Sequence, residues 1–319
     1  MHPSLAQYLK RFTSLVPQLM SVVLFGIALW AIYQPLHQYS LKEILQSVTS
    51  ISTDRILISL ALIVLNYGVI TGYDTLAIHY IRQSLPYRKI VLVAILSTVI
   101  SNNIGFAVLA NSLVRYRFYS RWGITTLQVA GISAFCNLSY GLGQMTVGGF
   151  VFLIEPIPIP SALHLPFNSI HLLGVGCLSI VAAYVISSAF SQKSLKVLNW
   201  RIPHLPLKIT LVQIGISSLD WMLSAAIFYM LLPTSSLLSY PSCLGIYLLA
   251  QFAGVISNVP GGLGVFETVM LLLLSPVFPS GKLIGSLLAF RGIYNFLPLV
   301  LTLGTLGFYE LRRSLKSRV

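Results

Sequence analysis

The sequence predicts an all-α, polytopic membrane protein, and three observations carry that prediction. Hydrophobic residues fill 56% of the 319 positions. Charged residues fill 8%, where a soluble domain carries roughly 25%. Apolar runs of spanning length, about 20 residues, recur along the whole chain, and the mean hydropathy is +0.84. The stretches between the runs are too short for a further folded domain, which needs about 50 residues or more. One transmembrane domain over residues 1–319 is therefore expected.

The charge balance fits this class. The net charge is +13, from 20 Lys and Arg against 7 Asp and Glu. The basic residues fall in short loops, as the positive-inside rule requires. Anionic lipid headgroups are the expected partner, and nucleic acid is not. Cys136, Cys177 and Cys243 each sit inside an apolar run without CxxC spacing, which suits small buried hydrophobes. The six histidines form no HxxxH or HExxH pattern, so no metal and no cofactor are expected.

The elements follow in order. Lys10 and Arg11 precede an apolar run at about 16–33. It is long for a signal-peptide core and lacks a clear A-x-A site, so it reads as a retained first span. In "QPLHQYSLKEILQSVTSISTDR" (34–55), Leu41, Ile44, Leu45, Val48 and Ile51 recur at helical spacing, which predicts an amphipathic helix on the membrane surface. Further apolar segments fall at about 56–78, 90–112, 124–154, 167–189, 209–232, 242–277 and 283–309.

Charge fixes the topology. With the N-terminus inside, 16–33 exits and 56–78 returns, placing Arg82, Arg88 and Lys89 inside. A full crossing by 90–112 would put Arg115, Arg117 and Arg121 outside, and later Lys193, Lys196, Arg201 and Lys208. If 90–112 instead enters and turns back, both basic groups stay inside. Segment 242–277 then turns back from the outer face, and Arg312, Arg313, Lys316 and Arg318 end inside. Only Lys42, Arg55 and Lys282 remain outside, with Arg291 buried. The rule thus favours about six full spans plus two broken re-entrant hairpins. The expected location is the cell (plasma or inner) membrane, with both termini cytoplasmic.

Both hairpins contain the word VISN, at 99–102 and 255–258. Asn102, Asn103 and Gly105 break the first; Asn258, Pro260, Gly261, Gly262 and Gly264 break the second. Irregular backbone at membrane depth is tolerated only inside protein or along a water-filled cavity. One hairpin from each face, sharing a word, predicts an inverted repeat, and such repeats meet around a substrate site near the midplane.

Four ionisable residues stand inside apolar surroundings: Asp74 in "VITGYDTLAIHY", Asp220 in "GISSLDWMLSAAIF", Arg291 in "LLAFRGIYNFLPLV" and Glu267 in "GVFETVM". A charge at the bilayer centre costs about 2.5–3.5 kcal/mol on insertion scales, so such residues face a bundle interior or a cavity. They read either as a structural ion pair, for example Asp220 with Arg291, or as charges lining a polar path for a headgroup. A proton or ion relay is a third reading. Glu267 also suits the first turn of a helix, where the dipole favours a carboxylate. "RYRFYSRW" (115–122) interleaves arginine with aromatics, as an interfacial anchor that also binds phosphate would. "PGGLG" (260–264) lacks the GK[ST] of a nucleotide loop, though the helix starting there can hold an anion on its free N–H groups.

"SNVPGGLGVFE" (257–267), "SSLDW" (217–221), "AFRGIYNFLP" (289–298), "DTLAIHYIR", "SNNIGF" and "NSLVRYRF" resemble the lysylphosphatidylglycerol synthase transmembrane, or flippase-like, family over nearly the whole chain. The resemblance implies a multispan domain with re-entrant helices that moves lipids between leaflets. In two-domain members an aminoacyl-transferase follows; this chain ends at Val319, soon after its last apolar segment, so synthase activity is not expected. Asp74 matches the family's early intramembrane acid, Arg115 its following arginine, and Asp220 the acid before Trp, where some members have Glu. Many members carry Pro near the Asn of the first hairpin; "NNIG" stands there instead.

The function expected is lipid translocation. The substrate path would comprise Asp74, Asn102, Asn103, Arg115, Asp220, Asn258, Pro260, Gly261, Gly262, Glu267 and Arg291. Acidic members would suit a cationic or zwitterionic headgroup, and Arg115 the phosphate. The candidate cargo is an anionic, aminoacylated or glycosylated lipid. An accessory subunit for a separate lipid-modifying transferase is the alternative, and self-association stays open. An intramembrane enzyme would need a GxGD, HExxH or HxxxxD pattern, and none is present.

Overall fold

A computed structural model describes residues 48–104, 107–155, 170–190, 195–197, 200–202, 205–256, 264–302 and 304. The span at 16–33 and most of the amphipathic segment at 34–55 lie outside them, as do the turn residues Gly105, Asn258, Pro260, Gly261 and Gly262.

The described chain is helical apart from one small hairpin. Helix α1 runs Thr53–Tyr80, α2 Tyr87–Ile104, α3 Ala107–Tyr119, α4 Thr126–Ile154 and α5 Ile170–Phe190. Strands β1 (Leu195–Val197) and β2 (Trp200–Ile202) pair antiparallel within the basic loop that follows, with Lys196 opposite Arg201. Then come α6 (Leu207–Leu231), α7 (Tyr240–Ile256), α8 (Val265–Leu274) and α9 (Ser280–Phe290). Helix α9 continues as a π-helical segment, Arg291–Phe296.

Local chemistry sets the ends. Pro86, Pro206 and Pro279 each stand immediately before the first residue of α2, α6 and α9, where a missing N–H costs nothing. Gly123 adopts φ +86°, a left-handed turn closing the 3-10 segment Ser120–Trp122. Thr125 then caps α4: its hydroxyl accepts from Gln128 N at 3.4 Å, and its own N–H donates to Gln128 Oε1 at 3.0 Å.

Among the described residues, α1, α5, α6 and the run Ser280–Thr302 are long and apolar enough to cross a membrane. The protein is thus an all-α membrane protein. Val64, Leu65, Phe150, Ile186 and Val300 are large, apolar and exposed, which suits contact with lipid.

A polar stripe runs through the largely apolar interior. On α6, Thr210, Gln213, Ser217, Asp220 and Ser224 recur every three or four residues, and all are buried. Asp220 and Ser224 meet Asn66 on α1, whose buried side chains also include Ser59, Thr71 and Asp74, while Thr210 meets Ser188 on α5. Gln213 Nε2 donates to Ser139 Oγ on α4 at 2.8 Å. Small residues let the helices approach. A Cβ on Gly143 of α4 would lie 2.5 Å from the Ser217 backbone on α6, so only glycine fits there.

The chain order repeats a unit: long helix, broken pair, long helix. Helix α1 is followed by α2 and α3, which pack on each other, and then by α4; α6 is followed by α7 and α8, which also pack together, and then by α9. At 1.5 Å per residue, α3 and α8 reach roughly 20 Å and 15 Å, short of a hydrocarbon core about 30 Å thick. The long members α1 and α6 lie side by side and join the two units.

Candidate functional site: three intramembrane charge clusters

The first cluster joins α1, α3 and α4. Asp74 lies three-quarters of the way along α1 and is 0% exposed. Arg115, at 2% exposure, grips it with two parallel bonds: Nε donates to Oδ1 at 2.8 Å and Nη2 to Oδ2 at 2.7 Å. The Tyr119 hydroxyl donates to Oδ1 at 2.8 Å, and Cys136 Sγ lies 4.0 Å from Oδ2. Arg115 Nη1 donates to Asn111 Oδ1, one turn earlier on α3. The acid and the following arginine that the sequence singled out separately are here a buried ion pair. Arg115, expected to bind phosphate, is enclosed by this pairing in the described conformation. Nearby, Lys89 Nζ sits 4.9 Å from the centroid of Trp122, tying the start of α2 to the turn after α3.

The second cluster surrounds Asp220. Asn66 Nδ2 donates to Asp220 Oδ1 at 2.7 Å and to the Asp220 carbonyl at 3.1 Å. The Tyr73 hydroxyl donates to Oδ2 at 2.7 Å. Tyr294, from the π-helical segment, donates to Asn66 Oδ1 at 3.1 Å and meets Ser224 Oγ at 2.9 Å. Asp220 is 3% exposed.

The third cluster is less enclosed. Arg291 pairs with Glu267 of α8, with side-chain exposures of 12% and 16%. Glu267 Oε2 also accepts from the Gly264 N–H at 2.8 Å, the helix-start role its position suggested. The ion pair proposed between Asp220 and Arg291 is therefore corrected. Arg291 turns to α8, and Asp220 is met by an amide and a phenol instead. The π-helical winding places Arg291 and Tyr294 on the same short segment, one serving each cluster.

Asn102 and Asn103 lie at the C-terminal end of α2. Asn103 Nδ2 donates to Val99 O at 2.8 Å and to Asn295 O at 3.3 Å, linking the first broken pair to the π-helical segment. Asn258, Pro260, Gly261 and Gly262 lie outside the described residues.

The side chains that sequence reasoning passed over are Asn66, Tyr73, Asn111, Tyr119 and Tyr294. Asn66 and Tyr73 are seven residues apart, two turns of one helix face, with Asp74 beside them. An asparagine inside an apolar run is itself a signal of an intramembrane partner. The three cysteines are free and buried, as expected.

The family model described as the lysylphosphatidylglycerol synthase TM region matches residues 18–302. The chain is 42% identical over 309 residues to uncharacterized protein slr0712 of Synechocystis sp., covering 97% of this chain and 96% of the relative. It is 31% identical over 265 residues to the inner membrane protein YbhN of Escherichia coli, covering 82% of each. It is 23% identical over 306 residues to the phosphatidylglycerol lysyltransferase of Staphylococcus haemolyticus, covering 92% of this chain but 34% of that enzyme.

Proposed function

As the chain belongs to the lysylphosphatidylglycerol synthase TM region family, we propose that it translocates polar-headed lipids between the leaflets of its membrane. One observation carries this reading: the repeated order of long helix, broken helix pair and long helix, with an ion pair inside each unit and Asp220 of the second bonded to Asn66 and Tyr73 of the first. Broken helices expose backbone groups at membrane depth, and a passing headgroup can use them in place of water. In this reading the two broken pairs are re-entrant hairpins of an inverted repeat, in one domain over residues 1–319.

The substrate path would run past Asn102, Asn103, Asn258, Pro260, Gly261 and Gly262 and the three charge clusters. The Glu267–Arg291 pair, partly exposed, would meet the headgroup first. Asp74, Arg115 and Asp220 are sealed in the described conformation and would become accessible when α1 and α6 part. The cargo proposed is an anionic or aminoacylated phospholipid. The protein acts here as a transporter and not as an enzyme. The test is translocation of headgroup-labelled lipid in proteoliposomes. Wild type is expected to flip the lipid, and Asp220→Asn and Arg291→Gln to lose most of that activity while staying folded. Absence of flipping across anionic, zwitterionic and aminoacylated lipids would sink the reading.

A second reading has its own support. The lysyltransferase of S. haemolyticus is matched over 34% of its length, so a chain like this one could serve a separate lipid-modifying transferase as its membrane subunit. Co-purification of such an enzyme would favour it.

The location proposed is the inner or plasma membrane, with both termini in the cytoplasm. Single cysteines at Ser120 and Ser191, in a background free of native cysteines, are expected to react with a membrane-impermeant reagent from the cytoplasmic side. Reaction of the Ser120→Cys variant from outside would contradict the first re-entrant hairpin.

A further inference from the structure

The three intramembrane carboxylates described above differ in how they are compensated. Asp74 has Arg115 and Glu267 has Arg291; these are the two ion pairs among the described residues, and Asp220 belongs to neither. A buried carboxylate without a cation is far costlier than a neutral carboxyl group. The Asn66 amide and the Tyr73 hydroxyl bond the Asp220 carboxyl group, and further phenols stand near it. Tyr67 and Tyr73 come from α1, Tyr140 from α4, Tyr247 from α7 and Tyr294 from the π-helical segment.

The hydrogen bonds give this enclosure a direction. The Asp220 carbonyl can only accept, so the Asn66 atom facing it is the amide nitrogen. That nitrogen also donates to Asp220 Oδ1, which is thereby committed as an acceptor. Asn66 Oδ1 takes the Tyr294 proton, so Ser224 donates to Tyr294 in turn. Oδ2, 2.7 Å from the Tyr73 hydroxyl, accepts from it as long as Asp220 is ionised, and can donate to the same oxygen only if that hydroxyl turns when Asp220 takes up a proton.

We propose that Asp220 is a proton-binding site, carrying a proton on Oδ2 against the Tyr73 hydroxyl while α1 and α6 are packed together. The ligand is the proton itself, and no bond other than O–H forms or breaks. Separation of α1 from α6 would admit water and release the proton to it. The inference stands whether or not the protein moves lipid. If transport occurs, the proton is the ion to which it is coupled.

The test is infrared spectroscopy of the full chain in phosphatidylglycerol nanodiscs at neutral pH. With only 7 acidic side chains in the protein, the carbonyl stretch of a protonated carboxyl group is assignable by substitution. The band is expected in wild type, to be lost completely in Asp220→Asn, to be kept in Glu267→Gln and to return, shifted, in Asp220→Glu. Tyr73→Phe should move its frequency by removing the hydrogen bond. A missing band in wild type, or a band that survives Asp220→Asn, overturns the proposal. Should Asp220→Asn fail to fold, Tyr73→Phe decides: a shifted band supports the site and an unmoved one overturns it.

Discussion

Arg115→Ala is expected to destabilise the protein by about 3–5 kcal/mol, the cost of leaving one member of a buried ion pair uncompensated. Asp74 is 0% exposed, and the alanine leaves it only the Tyr119 hydroxyl at 2.8 Å and the Cys136 thiol at 4.0 Å. Domains are stable by about 5–15 kcal/mol, so the loss is a large share of the total. It is read as a fall in the unfolding midpoint in detergent. The double variant Asp74→Asn, Arg115→Gln removes both charges and should recover most of the loss. That recovery separates compensation from mere truncation of a long side chain. If Arg115→Ala unfolds like wild type, the pair does not hold α3 to α1.

The second large effect is expected at Asn66. Leucine there is close in volume but removes four polar contacts: two donated to Asp220, a weak one at 3.5 Å to Ser224, and the acceptor for Tyr294. Two buried groups, Asp220 Oδ1 and the Tyr294 hydroxyl, lose partners at about 1–3 kcal/mol each. Tyr294→Phe removes only neutral bonds, which average about 0.6 kcal/mol each between membrane helices. The expected order of unfolding midpoints is wild type, then Tyr294→Phe, then Asn66→Leu lowest. Reversal of the last two would mean that Asn66 is not the hub joining α1, α6 and the π-helical segment.

These predictions also measure what the sequence could and could not say. Composition and run length announce the all-α membrane class because the hydrophobic thickness of a bilayer imposes itself on every spanning helix. Asp74 was legible as a charge in apolar surroundings and Arg115 only as an interfacial base, and the structure brings them together. The partner of Arg291 was not legible. Glu267 and Asp220 are 24 and 71 positions away, and spacing alone cannot rank partners that tertiary packing chooses. The polar stripe Thr210, Gln213, Ser217, Asp220 and Ser224 lay in plain view at helical period. It is hidden from a search for apolar faces, because in lipid the outward face is apolar too and polar residues gather at helix contacts. Tyrosines were missed for a related reason: their rings count as apolar, while their hydroxyls complete the network at Asp220.

The π-helical winding at Arg291–Phe296 carries a consequence for chain length. Such a segment stores one residue beyond what an α-helical turn would hold. Elsewhere in a spanning helix, loss of one residue turns everything beyond it by about 100° and swings its lining away from its neighbours. Here the loss can be absorbed, because relaxation to α-helical winding leaves the run beyond Leu297 on its original side. What would change is local: the Asn295 carbonyl that receives Asn103 would be drawn back toward a partner in its own helix. A single-residue deletion at Gly292 should therefore spare insertion and packing of the last helix while cutting the bond from Asn103 to the Asn295 carbonyl, one of several links between the two units.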